Sequence, residues 1–127
     1  MAVNSIQRKM QNFEKLKVWE ESVRLVEFSY LLHTLLPSFE VHGLGDQIRR
    51  ASTSVAINIA EGSASDSRRD FIKFLGISRK SLVEVVAICK IINKLYPKLD
   101  VNPVLTQADL TGKILYGLIR SLKTVNG

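Results

Sequence analysis

Cysteine is nearly absent from this chain of 127 residues, which contains only Cys89. A single cysteine excludes an internal disulfide framework and a zinc site built from several cysteines. Cys89 ends the apolar run of residues 85–89, so we expect a buried and unreactive thiol. Histidine is scarce as well, and neither His33 nor His42 has a second imidazole or a carboxylate at metal-ligand spacing. The sequence therefore predicts no metal site.

Long hydrophobic runs are missing too. The apolar stretches are short and are interrupted at Lys90, Asn93 and Lys94, so no segment is expected to span a bilayer. Residues 1–12 are polar and lack the apolar core of a signal peptide. These features predict a cytoplasmic protein without membrane contact.

Common active-site motifs do not occur in the sequence. It contains no Gly-rich loop followed by Lys-Ser/Thr and no Gly-x-Ser-x-Gly segment. It also lacks the Glu-x-x-His pairs that hold two iron ions in some helical bundles. We therefore predict a protein that is not an enzyme and that has no catalytic residues and no cofactor.

The composition is that of a folded domain with an excess of positive charge. Hydrophobic residues make up 46% of the chain and charged residues 24%, which argues against disorder over most of its length. Eighteen Lys and Arg against twelve Asp and Glu give a net charge of +6. This excess favours a polyanionic partner such as RNA, DNA or an acidic protein surface. A basic protein that is merely soluble would have the same composition.

Four segments of the chain carry apolar residues at spacings of three and four, as expected for helices that pack on other helices. They cover about residues 14–36, 44–61, 67–96 and 103–124. Residues 1–12 are interpreted as a flexible basic tail, and residues 13–127 as one domain. Because the connections are only a few residues long, neighbouring helices should be antiparallel. The sequence therefore predicts an all-α protein with an up-down-up-down four-helix bundle.

Specific residues mark the ends of these helices. Gly62 is typical of a left-handed cap at the end of helix two. Ser67 followed by Asp70 is a capping pattern at the start of helix three. Asn102 followed by Pro103 predicts the start of helix four, with the asparagine as the capping residue.

Helices one and three are apolar on more than one face. In helix one, the seam that we expect to pack in the core consists of Leu16, Trp19, Val23, Val26 and Tyr30. A second stripe of helix one consists of Leu25, Phe28, Leu32 and Leu35. Helix three likewise has a second stripe, which consists of Ile77, Ile88, Ile91 and Leu95. Such helices need more burial than one small bundle offers, which favours self-association; a monomer with a thick core is the alternative.

Basic residues on helix three form a candidate binding surface. Arg69, Lys73 and Lys80 are separated by four and seven residues and therefore share one face. Further basic residues flank this face or begin helix two: Arg68, Arg79, Arg49 and Arg50. Such a surface would bind nucleic-acid phosphates non-specifically and with a strong dependence on salt. The alternative is a solvated helix face paired with neighbouring carboxylates.

Several segments of the chain resemble a known family. Two of them read Phe-Glu-Lys-Leu-Lys-Val-Trp-Glu at residues 13–20 and Gly-Leu-Gly-Asp-Gln-Ile-Arg-Arg-Ala-Ser at residues 43–52. A third reads Ser-Val-Ala-Ile-Asn-Ile-Ala-Glu-Gly at residues 54–62, and shorter ones follow at 71–75 and 81–84. Over about residues 13–123 the chain is similar to the four-helix-bundle family first found encoded in intervening sequences of bacterial large-subunit ribosomal RNA genes.

The resemblance implies a four-helix bundle that assembles into a homo-oligomer, a pentameric barrel. Related accessory proteins of diversity-generating retroelements, which this chain resembles less, bind nucleic acid and a reverse transcriptase through a positively charged surface. The matched motifs give weight to Arg49, Arg50, Asn58 and Glu61. Asn58 and Glu61 share a helix face, where we favour structural polar groups that tie helix two to its neighbours over the lining of a functional groove.

The sequence thus predicts a non-enzymatic, self-associating basic module that binds RNA or DNA non-specifically through a positive surface. The alternative is a scaffold that docks an unidentified protein partner through an apolar helix face and binds no nucleic acid. The two hypotheses differ in the affinity for RNA at about 50 mM salt, where phosphate contacts are strong.

Overall fold

The computed structural model describes residue 13 and residues 16–124, and this part of the chain is almost entirely helical. Helix α1 spans Lys17–Leu35, and a 3-10 helix spans Ser38–His42 in the following connection. The remaining helices are α2, Leu44–Ser63, α3, Arg68–Leu95, and α4, Asn102–Thr124. No strand occurs among the residues described. The predicted tail, residues 1–12, and the last predicted bundle residues, 125–127, lie outside them.

The four helices form an antiparallel ring. Each helix packs on the next one along the chain, and α1 also packs on α4, which closes the ring. The contact between α2 and α3 is the most extensive. Since consecutive helices run in opposite directions, the end of α1, the start of α2, the end of α3 and the start of α4 share one end of the molecule. The predicted up-down-up-down bundle is confirmed.

The core is filled by aliphatic side chains from all four helices. Those that are almost completely shielded from solvent include Val18, Leu25, Ile48, Val55, Ile59, Leu75, Val85, Ile92, Val104 and Leu115. Cys89 is fully buried among them, and this burial raises its pKa to about 11. The thiol is therefore neutral and unreactive near neutral pH.

The predicted core seam of helix one is only partly correct, because Leu16 and Trp19 are partly buried and pack against the core, but the most deeply buried side chains of this helix are others. The stripe that faces the core contains Val18, Leu25 and Leu32, whereas Tyr30 of the predicted seam is 44% exposed. The reason is that polar residues also occupy the core-facing stripe, where Glu21 and two serines are buried. Their presence made this face look solvent-exposed in the sequence. In α3, Ile88 of the predicted second stripe is also buried in the core.

Three polar side chains meet inside the bundle between α1 and α4. Gln107 Nε2 donates hydrogen bonds to Glu21 Oε1 at 2.9 Å and to the Glu21 carbonyl oxygen at 3.0 Å. Thr111 Oγ1 donates to the same carbonyl at 3.3 Å, and Lys17 Nζ lies 2.7 Å from Glu21 Oε2. The bonds from Lys17 and Gln107 hold the pKa of Glu21 below its usual range. The buried carboxylate is therefore ionised and paired, as a buried charge must be.

Gly62 does not form the predicted left-handed cap. It lies within α2, which continues to Ser63, and no described glycine has a positive φ. Its role is close approach between helices, since a Cβ placed on Gly62 would lie 2.9 Å from Phe71 Cδ1 and 2.9 Å from Phe74 Cβ. The glycine thus lets the start of α3 pack directly on the end of α2.

The starts of α3 and α4 are capped by side-chain oxygens. Ser67 Oγ accepts a hydrogen bond from the Asp70 backbone N–H at 3.0 Å, which confirms the predicted cap. In α4 the first helical residue is Asn102, and its backbone N–H donates to Asp100 Oδ1 at 3.0 Å. Asp100, and not Asn102, therefore supplies the side-chain acceptor at this helix start.

Candidate nucleic-acid interface

A concave basic surface lies between α3 and α4, at the end of the bundle where α3 begins and α4 ends. We name it the basic groove and define it by Lys73 and Arg79 of α3 with Arg120 and Lys123 of α4. Its volume is about 460 Å³, and none of the described residues that line it is acidic. The two helices thus bring together two pairs of cations, and the pairs are about 40 residues apart in the sequence.

Helical spacing explains why these side chains line one groove. On α4, Tyr116, Arg120 and Lys123 follow one another at four and three residues and form one stripe. On α3, Gly76 stands three residues before Arg79, and a Cβ built on it would have no described atom outside its own helix turn within 4 Å. The glycine leaves open space between the two basic stripes.

Arg79 is fastened to Tyr116 across the groove. Its Nη1 donates a hydrogen bond of 3.0 Å to the Tyr116 hydroxyl, and its Cζ lies 5.6 Å from the centroid of the tyrosine ring. The guanidinium is thus held over an aromatic face, an arrangement that is electrostatically favourable. Tyr116 is nevertheless 47% exposed. The groove therefore presents an aromatic side chain to solvent among its cations.

The concave surface continues along α3 and α4 into a second cavity of about 700 Å³, which Tyr116 and Arg120 also line. We name this part the apolar groove; its walls include Leu82, Val83, Val86 and Leu105. Lys90, Asp109 and Lys113 line it as well, and the Asp109 carboxylate is paired with Lys113 at 3.2 Å. A basic section and an apolar section therefore adjoin at Tyr116.

The predicted basic residues of α3 lie in or beside this groove. Lys73 and Arg79 line it. Arg69 and Lys80 are exposed and, by their helical spacing, share the face of Lys73. Arg68 is exposed at the first position of α3. The sequence analysis did not identify Arg120 and Lys123. Their spacing of three residues on helix four shows that they share a face, but the sequence does not show that this face lies beside the basic residues of α3.

The structure places Arg49 and Arg50 away from the other five, at the start of α2 and the opposite end of the bundle. Arg49 Nη2 donates to the Val41 carbonyl at 2.9 Å, and Arg49 Nη1 lies 3.4 Å from His33 Nε2. Arg49 thereby fastens α2 to the 3-10 helix and to α1. Arg50 is exposed and lies 3.9 Å from Asp46 Oδ2, a surface pair that contributes little stability.

Asn58 belongs to a polar contact between α2 and α3. Its Nδ2 donates to the Ser54 carbonyl at 2.8 Å and to Ser54 Oγ at 3.1 Å. Ser54 Oγ in turn lies 2.8 Å from Ser81 Oγ of α3. Nearby, Ser78 Oγ of α3 donates to the Val55 carbonyl of α2 at 2.7 Å. Glu61 is exposed near the end of α2.

The described residues contain neither a candidate metal cluster nor a membrane-spanning helix. Among them, no three His, Cys, Asp or Glu side chains lie close enough to hold a metal ion. In the same part of the chain, no helix is long and apolar enough to cross a membrane.

These features define an all-α bundle with a positively charged groove between α3 and α4. The family model for the 23S rRNA-intervening sequence protein matches residues 14–117. This range is most of the chain, which therefore belongs to that family, as the motifs predicted. No curated protein matches the sequence.

Proposed function

We propose that this chain is a non-enzymatic, self-associating module that binds RNA non-specifically through the basic groove. The observation that carries this proposal is the convergence of Lys73, Arg79, Arg120 and Lys123 on one groove whose described lining has no carboxylate. Each cation that neutralises a phosphate releases a condensed counterion, which drives binding without regard to base sequence. Membership of the 23S rRNA-intervening sequence protein family supports RNA among the polyanions.

Self-association is supported by apolar side chains at the other end of the bundle. Leu31 and Leu35, in the last turns of α1, are 61% and 57% exposed, and Phe39 of the 3-10 helix is 75% exposed. We name this set the terminal apolar cluster. Contact between copies through this cluster would remove it from water and leave the basic groove at the opposite end accessible. Several grooves on one particle would raise the avidity for a long RNA.

Charge reversal tests the groove directly. We would measure the affinity of a fluorescent RNA by anisotropy over a salt series, for the unaltered protein and for the double variant Lys73→Glu/Arg120→Glu. Four phosphate contacts predict a slope of log K against log salt of about −3. The variant should lose binding at low salt and have a shallower slope.

The matched control is Lys94→Glu/Lys98→Glu, which changes the net charge equally at the far end of α3, where both lysines are exposed. It should retain RNA binding. Equal losses in the two variants would indicate attraction by net charge instead of a groove. Unchanged binding in both would refute the proposal.

A scaffold that docks a protein partner is the second candidate function. The terminal apolar cluster favours it, because Leu31, Leu35 and Phe39 are large apolar side chains exposed together at one end. Such patches mark interaction surfaces on soluble proteins. This hypothesis predicts negligible RNA affinity at about 50 mM salt, so the same titration separates it from the first.

A further inference from the structure

We infer that the groove between α3 and α4 takes single-stranded nucleic acid, with a base stacked on Tyr116, neighbouring bases in the apolar groove and phosphates against the cations of the basic groove. This inference rests on the proposed function and names the form of nucleic acid that the site prefers.

Tyr116 has the position and the exposure of a stacking platform. It lines both the basic groove and the apolar groove, and nearly half of its surface is accessible. The hydrogen bond from Arg79 to its hydroxyl fixes the ring, so little conformational freedom remains to be lost on binding. Stacking of bases on aromatic rings is a main source of affinity for single strands, and it tolerates any sequence because every base has a π-face.

The apolar groove gives unpaired bases a place that a duplex cannot use. Its walls of Leu82, Val83, Val86 and Leu105 offer no partner to a phosphate. Gly112 keeps it deep, since a Cβ there would lie 3.2 Å from Leu82 Cδ2. In a duplex the base faces are stacked on one another and only the backbone and the groove edges are exposed. A duplex would therefore reach the cations but leave the apolar walls in water.

The charges are arranged for a strand that passes along the helices. Lys73, Arg79, Arg120 and Lys123 stand at one end, and Lys90 lines the other. From Lys73 to Lys90 is about 26 Å along α3 at 1.5 Å per residue. The carboxylate of Asp109, which also lines the apolar groove, is paired with Lys113 and so repels phosphates less. The backbone of a single strand that lies along this distance would therefore contact cations at both ends of the groove.

The test compares a fluorescent oligouridine strand with an RNA duplex of the same nucleotide number, at one low salt concentration. The variants are Tyr116→Ala, Tyr116→Phe and the control Tyr30→Ala, which removes a comparably exposed tyrosine from α1. We expect the single strand to bind more tightly than the duplex. Tyr116→Ala should weaken single-strand binding roughly tenfold and duplex binding much less, because a duplex loses only the anchoring of Arg79, whereas Tyr30→Ala should leave both affinities unchanged.

Tyr116→Phe separates stacking from the positioning of Arg79, because it keeps the ring and removes the hydroxyl that accepts the arginine hydrogen bond. It should retain most of the single-strand affinity. A strand containing 2-aminopurine gives a second readout: its fluorescence should be quenched on binding to the unaltered protein and to Tyr116→Phe, but not on binding to Tyr116→Ala.

The outcomes distinguish this inference from the function on which it rests. Equal affinities for strand and duplex, with Tyr116→Ala indistinguishable from the control, would overturn the single-strand inference and leave phosphate binding by the basic groove intact. No binding of either RNA at low salt would overturn both, and would favour a protein segment as the occupant of the groove.

Discussion

The hydroxyl of Tyr96, just beyond the end of α3, donates a hydrogen bond of 2.6 Å to Glu40 Oε2 in the 3-10 helix. The other oxygen of the same carboxylate accepts the backbone N–H of Leu44 at 3.2 Å, at the first residue of α2. One carboxylate therefore joins the end of α3 to the start of α2. Because a carboxylate accepts stronger hydrogen bonds than a neutral oxygen, this link helps to hold one end of the bundle together.

Loss of this link should lower the stability of the bundle at neutral pH. Tyr96→Phe removes only the hydroxyl, so we expect a fall of a few degrees in Tm, measured at equal protein concentration. The hydrogen bond to Glu40 raises the pKa of Tyr96 above its usual value of about 10. Its contribution is therefore complete below pH 10 and is lost as the pH rises through the higher folded-state pKa. A difference between the two proteins that persists unchanged after Tyr96 has ionised would contradict this account.

The buried carboxylate of Glu21 should make the bundle sensitive to acid. Its folded-state pKa is lowered by Lys17 and Gln107, so its contribution to stability is present above the unfolded pKa of about 4.5 and is lost as the pH falls through the folded value. Glu21→Gln should unfold at a lower urea concentration than the unaltered protein at pH 7. The two midpoints should converge as the pH falls below about 4.5. Parallel midpoints over this range would show that the carboxylate charge does not matter.

Two glycines of the helices should respond in opposite ways to the same substitution. Gly62→Ala places a methyl group 2.9 Å from Phe71 and Phe74, so overpacking should destabilise the protein by about 1–3 kcal/mol. Gly117→Ala meets no described neighbour within 4 Å outside its own helix turn and should stabilise α4 by up to about 1 kcal/mol. Urea unfolding of both variants measures this. A stabilising effect at both positions would show that α2 and α3 are not in close contact at Gly62.

The terminal apolar cluster should control the mass of the particle in solution. Leu35→Ser/Phe39→Ser removes two exposed apolar side chains without disturbing the core, so light scattering should find a mass close to that of one chain, 14.3 kDa. Leu110→Ser, which changes an exposed leucine of α4, is the control and should keep the mass of the unaltered protein. An unchanged mass in the double variant would place the interface between copies elsewhere.

The sequence predicted best where the polarity of a residue matches its environment. The face of α2 that contains Ile48, Val55 and Ile59 follows directly from apolar spacing and is buried. Helix α1 was misread because Glu21 lies on its core-facing stripe, and a buried carboxylate is recognisable only when Gln107, 86 residues later, is seen beside it. The sequence around Glu21 does not reveal that Gln107 is its partner.

The candidate site was predictable only on its α3 side. Lys73 and Arg79 belong to a basic segment that is visible in the sequence, and both line the groove. Arg120 and Lys123 do not by themselves predict a binding site, because cations are common in the last turns of helices. The register of α4 against α3 places them opposite Lys73, and with them Tyr116, which sequence reasoning had not considered at all.

The contact of Glu21 with Gln107 also determines how the helices can align. A purely apolar interface would tolerate a slide of α1 along α4 by one helical turn, about 5.4 Å, since one aliphatic side chain can replace another. Such a slide would carry Lys17 along with Glu21 but would separate the carboxylate from the Gln107 amide, which would leave a buried donor without its acceptor. The polar pair therefore selects a single alignment among several of similar apolar burial. Because α4 also forms one wall of the basic and apolar grooves, this alignment fixes the position of that wall.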